Sequence, residues 1–143
     1  MTSDQAAEGI YLSSDPNLLN ETFVYQYLRE HMYWAKRLTF EMFQRSVRNS
    51  AVVVGVYKGA EQLGFARVVS DCATFAYLTD VFIVEACRGQ GLSKQLMQFI
   101  IDHPQLQGLR RFMLVTEDAG GLYARYGFTP LSDAGHWMEI YRD

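Results

Sequence analysis

The chain has 143 residues, of which 49% are hydrophobic and 20% charged, the composition of one soluble domain spanning residues 1–143 and too little sequence for two ordinary ones. Thirteen Lys plus Arg against sixteen Asp plus Glu give a net charge of −3, so no basic excess exists to neutralise a phosphate backbone, and nucleic acid is not expected as a partner. Two cysteines, Cys72 and Cys87, make neither a disulfide framework nor the paired hooks of a zinc site, and His31, His103 and His136 lack ligand spacing, so no metal is expected.

Residues 10–12 read as a short strand. Asp15-Pro16 has the cap-then-proline order that opens a helix, and Leu19, Phe23 and Tyr27 then recur every fourth residue up to His31. Thr39 can cap a second helix in which Phe40, Phe43 and Val47 share a face before Asn49-Ser50 closes it. From Ala51 the period changes, because Val52, Val53, Val54, Val56 and Tyr57 are β-branched or aromatic without helical spacing. Lys58-Gly59 marks a tight turn, after which residues 63–69 return as the second arm of a hairpin and residues 75–84 form a third long strand. Leu92, Leu96 and Ile100 make a helical face ended by Pro104. Residues 112–115 read as a strand and 119–126 as a short helix with Gly127 as its left-handed C-terminal residue. Residues 128–131 and 137–141 are expected to close the sheet as an antiparallel pair.

The order β-α-α-β-β-β-α-β-α-β-β predicts an α+β fold, a single mixed, mostly antiparallel sheet flanked by helices. The crossover helix makes the strands at 75–84 and 112–115 parallel neighbours, and a ligand is expected at their C-terminal edge. Residues 1–9 hold neither an apolar run nor a basic cluster, and apolar stretches such as 51–57 are far short of a membrane span. A cytoplasmic protein with no membrane partner is therefore expected; a homodimer is compatible with the sequence.

Arg88-Gly89-Gln90-Gly91-Leu92-Ser93 lies between a strand and a helix. Glycines there let the backbone turn tightly and aim several amide N–H groups at one point, while the helix N-terminus adds positive potential. Such a loop suits a pyrophosphate, with Arg88, Ser93 and Lys94 as helpers, although a plain strand-to-helix turn has the same glycines. A Walker loop is excluded because no Gly-Lys-Ser or Gly-Lys-Thr follows, and a Rossmann fingerprint because Lys94 stands where Gly or Ala is needed.

The run Val81-Phe82-Ile83-Val84-Glu85-Ala86-Cys87-Arg88-Gly89-Gln90-Gly91-Leu92-Ser93-Lys94-Gln95-Leu96 resembles the acetyl-CoA-binding motif of the GNAT superfamily of N-acetyltransferases, with Ser93 in place of the usual Gly or Ala. Gly121-Leu122-Tyr123-Ala124-Arg125-Tyr126-Gly127-Phe128 resembles the family's second signature. The family's element order also matches essentially the whole chain. The resemblance implies that acetyl-CoA is the acyl donor and that its pyrophosphate sits on the loop from Arg88 to Ser93, including Gly89, Gln90, Gly91 and Leu92. It further implies that the pantetheine arm lies along Phe82, Ile83 and Val84, where one backbone N–H near Phe82 or Ile83 polarises the thioester carbonyl. Tyr123 is implied to protonate the leaving thiolate, since a phenol with a reference pKa of about 10 stays protonated at neutral pH. The alternative is a Tyr packed on the sheet. Tyr126 is its nearby decoy.

Attack needs a neutral amine, so a base or water chain must drain its proton. Asp80 is the candidate, because it stands in the apolar strand Tyr77-Leu78-Thr79-Asp80-Val81-Phe82, where an unpaired carboxylate is costly to bury. A structural Asp bonded to a backbone amide or an Arg fits equally; Glu117 and Asp118 are rivals. Of the aromatics crowding the first third, Phe23 and Tyr27 read first as core packing. Tyr33 and Trp34, in a connection, are expected to wall the amine pocket, with Tyr27 at its edge and Glu41 or Asp71 adding charge complementarity. The acceptor is expected to be a small-molecule or peptide amine; a non-catalytic acyl-CoA sensor, or use of another acyl group, is the alternative.

Overall fold

A strand of β-branched residues needs hydrogen-bonding neighbours, and here they are mostly the segments adjacent in sequence. A computed structural model describes residues 9–142; all but one of the residues read above for a targeting address lie outside them. The strands β1 (Ile10–Ser13), β2 (Val52–Lys58), β3 (Glu61–Ser70), β4 (Phe75–Ile83) and β5 (Arg111–Leu114) form one sheet in that order. Strands β1 to β4 pair antiparallel, and β5 joins β4 in parallel through Phe75 to Leu78. The mixed, mostly antiparallel sheet is as expected.

Four helices flank it: α1 (Glu21–His31), α2 (Phe40–Arg48), α3 (Leu92–Ile101) and α4 (Gly120–Ala124). Thr39 caps α2 as expected, its hydroxyl accepting from Met42 N at 3.1 Å. Asp15-Pro16 opens only a 3-10 turn, Pro16–Leu18. The start of α1 is set by Asn20, whose side chain accepts from Phe23 N at 3.1 Å while its own N–H donates to Gln62 on β3 at 2.8 Å. The cap with a tertiary partner wins over the cap with proline alone.

The closing pair does not form. Residues 128–131 and 137–141 hold no strand, and a 3-10 turn, Ala134–His136, stands between them.

Alternation along β2 divides the core. Val52, Val54 and Val56 pack with Leu92, Leu96 and Ile100 of α3 on one face. Val53 joins Phe65 and Phe82 against Val24 and Leu28 of α1 and Phe43 and Val47 of α2 on the other. Tyr57 is buried on β2, with Tyr11 stacked on it at 5.4 Å between ring centroids. Gly55 makes room for it, because a Cβ there would collide with the Tyr57 ring and hydroxyl. That hydroxyl has no hydrogen-bond partner among the described residues. Burial, then Tyr11 and Asp15, push its pKa up to about 12. An unfolded tyrosine titrates near 10, so the folded chain holds this proton more tightly; its contribution is complete below pH about 10 and lost as pH rises through about 12. Tyr57→Phe is expected to remove that alkaline loss of stability in urea unfolding curves. At neutral pH it should leave stability equal or higher, since an unsatisfied buried polar group costs about 1–3 kcal/mol.

Candidate active site

A bulge in β4 opens the site. Phe65 faces Phe82 and Arg67 faces Thr79, so Ala66 alone opposes both Asp80 and Val81. Asp80 takes the strain at φ 59°, a left-handed conformation that Asp tolerates better than most residues. Beyond Leu78 the pairing with β5 ends while β4 runs on to Ile83. The result is a gap between two parallel strands at their C-terminal ends. Val84 N donates to Leu63 O at 2.8 Å, so the alternation of backbone groups turns the Ile83 N–H, rather than that of Phe82, toward the gap.

The loop from Arg88 to Ser93 stands at the mouth of this gap. Gly89 and Gly91 have φ 83° and 79°, which a side chain would strain, and a Cβ on either would meet nothing within 4 Å. Gly91 precedes α3 without offering a side-chain cap, leaving first-turn N–H groups to a ligand. A cavity of about 150 Å³ is lined here by Ile83, the loop, Lys94 and Leu122 of α4. Open glycines, an uncapped ten-residue helix and the nearby Lys94 fit a pyrophosphate. Leu92 is buried in the core, so it can serve such a ligand only through its backbone. Gln90 and Ser93 are exposed. Arg88 does more than the sequence assigned to it: Nε donates to Ile83 O at 3.0 Å and Nη2 to the Tyr27 hydroxyl at 3.2 Å, leaving three of its five N–H groups for a ligand.

Tyr123 follows Leu122 on α4 and packs at the edge of the core, its ring edge-on to Phe128 at 6.0 Å. Its hydroxyl has no hydrogen bond among the described residues, and burial, then Asp118, raise its pKa. Tyr126 differs, because its hydroxyl donates to Lys94 O at 2.9 Å and ties the turn after α4 to α3.

Asp80 has the Arg partner that the sequence left open beside the role of base. Its side chain is 4% exposed; Oδ2 accepts from Arg67 Nε at 2.9 Å, and Oδ1 from the Thr79 hydroxyl at 3.4 Å. Arg67 also donates to the Ser50 hydroxyl at 3.3 Å. Both carboxylate oxygens are thus engaged at the bulge. Arg67 went unnoticed in the sequence, although it is the one cation in an apolar strand and the hairpin count places it near position 80.

Tyr27 is buried in a stack of rings, 3.9 Å from both His31 and Phe82, with its hydroxyl held by Arg88, as its reading as a core residue expects. Tyr33 and Trp34 lie as expected in the connection between α1 and α2, on a 3-10 turn, and are 73% and 45% exposed. Glu41 pairs with Arg45 at 3.6 Å. Asp71 is taken up by its own turn, accepting from Ala73 N, Thr74 N and Phe75 N, which holds its carboxyl well below the usual range.

Among the described residues no helix is long and apolar enough to cross a membrane, and no three His, Cys, Asp or Glu side chains are grouped to hold a metal ion. The family model described as an acetyltransferase (GNAT) domain matches residues 49–130, which hold β2 to β5, the glycine loop and α4. A crystal structure from Xanthomonas campestris pv. campestris, of a protein described as belonging to the GNAT family, is 46% identical, covers 93% of each chain and superposes with a TM-score of 0.89. A Gibberella zeae protein classed by name among the acetyltransferases is 31% identical over 140 residues, 82% of this chain and 77% of that one. A Clostridium acetobutylicum protein solved with acetyl-CoA shares the fold at 14% identity and a TM-score of 0.63, over 92% of this chain and 94% of that one. With a family model over more than half its length and a relative above 30% identity along most of it, the chain belongs to the GNAT family of acetyltransferases.

Proposed function

We propose that this chain is a cytoplasmic N-acetyltransferase that moves the acetyl group of acetyl-CoA to a primary amine by direct attack in a ternary complex. The observation that carries the reading is the end of β4, unpaired with β5 beyond Leu78, whose Ile83 shares a cavity with the uncapped N-terminus of α3 and with Leu122 of α4, next to the free phenol of Tyr123. Acetyl-CoA supplies an activated thioester. The amides of Gly89, Gly91 and Ser93, with Arg88, hold its pyrophosphate; Phe82, Ile83 and Val84 line its arm. The Ile83 N–H donates to the carbonyl oxygen on which charge develops. Tyr123, kept protonated by its raised pKa, gives its proton to the departing thiolate. The free thiols of Cys72 and Cys87 accord with a reducing compartment.

Incubation with radiolabelled acetyl-CoA and a panel of small-molecule and peptide amines, following label transfer and thiol release together, tests the reading. Transfer to an amine is expected; binding of acetyl-CoA without thiol release toward any amine would make the chain a sensor instead.

Tyr33 and Trp34 wall the amine side, where aromatic faces attract an ammonium ion. Trp34→Ala is expected to raise the amine KM about 2- to 30-fold, the equivalent of a cation–π contact of about 0.5–2 kcal/mol, with CoA affinity unchanged. Because the ring is half exposed, the variant should melt near wild type rather than show the loss of about 3–5 kcal/mol typical of a buried aromatic. An unfolded variant would make Trp34 a packing residue.

Asp80→Asn should destabilise the fold by about 3–5 kcal/mol, the cost of leaving a buried charge without its partner. The acidic limb of its rate–pH profile should stay where it is. A displaced limb at unchanged stability would return Asp80 to the role of base; otherwise Glu117 or a water chain drains the amine.

A further inference from the structure

Tyr27 carries a hydroxyl that the packing of its ring does not need. The ring is buried between two others, His31 and Phe82, each 3.9 Å away between centroids and within 14° of parallel. A phenylalanine would fill that stack equally well, and a buried hydroxyl costs free energy unless it is hydrogen-bonded. Its partner lies 61 residues along the chain: Arg88, whose Nη2 donates to it at 3.2 Å.

Of the two, Tyr27 is the fixed one. Val24 and Leu28, both fully buried, seat α1 on the sheet, and the stacked rings cover the faces of Tyr27. Arg88 stands instead on an exposed loop, with a long side chain that loses rotamer freedom when ordered. Two anchors order it: Nε donates to Ile83 O at 3.0 Å, and Nη2 to the Tyr27 hydroxyl. Both lie along the Nε–Nη2 side of the planar guanidinium, which leaves over the outer fork, one N–H on each Nη. That fork is the geometry that grips two oxygens of one phosphate. Arg88 also lines the cavity at the start of α3. The side chain is therefore ordered before an anion arrives, whereas with Ile83 O as its only anchor it would pivot about that bond and be ordered at the expense of binding.

We propose that Tyr27 is a positioning residue for the acyl donor: its hydroxyl, held still by the ring stack, aims the Arg88 guanidinium at the pyrophosphate of acetyl-CoA. The proposal rests on the reading that places the pyrophosphate on the loop from Arg88 to Ser93.

Calorimetric titration with CoA tests it as a double-mutant cycle. Tyr27→Phe keeps the stack, should melt near wild type, and should weaken CoA binding about two- to twelvefold, the equivalent of ordering one long side chain on binding. Arg88→Ala should weaken binding at least as much, and adding Tyr27→Phe to it should then change nothing, because the group that Tyr27 aims is gone. A merely structural Tyr27 would cost the same factor with Ala at position 88 as with Arg. That result would overturn the proposal, as would wild-type affinity in Tyr27→Phe or in Arg88→Ala. In each of these cases a Gly91→Asp variant that loses CoA leaves the reading of the loop standing. A wild-type chain without affinity for CoA would overturn the reading and the proposal together.

Discussion

Tyr123→Phe is expected to bind acetyl-CoA as well as wild type and to turn over about ten- to a thousandfold more slowly, part of the range for losing a positioned proton donor. The phenyl ring preserves the edge-on contact with Phe128 and the packing at the rim of the core, so little besides the proton is removed. Tyr126→Phe supplies the contrast. It loses the hydrogen bond to Lys94 O, which should lower stability by about 0.5–1.5 kcal/mol while kcat stays near wild type. The pH dependence adds a second readout. Burial, and then the Asp118 carboxylate, favour the neutral phenol, so the alkaline fall of kcat in wild type should lie above the ordinary tyrosine range and be absent in Tyr123→Phe. Equal losses in the two variants, or none in Tyr123→Phe, would remove Tyr123 from the chemistry.

Gly91→Asp should cost CoA affinity at least about a hundredfold in a calorimetric titration, since like charges brought together cost several kcal/mol and each 1.4 kcal/mol is tenfold. Two effects act in the same direction. The backbone at φ 79° resists any side chain, by roughly 1–2 kcal/mol, and the carboxylate stands where an anion must approach α3. The fold should survive, because a Cβ at Gly91 meets no atom within 4 Å. Gly91→Ala isolates the backbone part and should bind more weakly than wild type but well above Gly91→Asp. Unchanged affinity in Gly91→Asp would place the pyrophosphate elsewhere.

The elements that could be read without coordinates are those whose cause is local. Thr39 caps α2 through its own side chain, and valines 52 to 54, β-branched and without helical spacing, favour the strand they form. The glycines at 89 and 91 are required by their own backbone angles. The Arg88 loop and the Tyr123 helix were legible together because each carries a short-range pattern, a glycine turn opening a helix and, by resemblance to a family signature, a tyrosine four residues before Gly127-Phe128. Where a second element decides the outcome, local reading stops short. Asn20 outranks Asp15 as a cap because Gln62, 42 residues away, receives its N–H. Asp80 looks like an isolated acid until β3 brings Arg67 to 2.9 Å. Tyr27 reads from its spacing as a core residue, but only the packed chain brings Phe82 onto its ring and Arg88 to its hydroxyl.

By itself, then, the sequence determined the order of the elements from β1 to α4 and the glycine turn that opens α3, because periodicity, capping and backbone freedom act over a few residues, while Tyr123 was singled out by resemblance to a family signature. Only the tertiary structure decided that the pairing of β4 with β5 stops at Leu78, that Arg67 meets Asp80, and that residues 137–142 form no strand. Those outcomes depend on which distant groups satisfy a buried charge or a strand's hydrogen bonds, and such partners are set by how the elements pack.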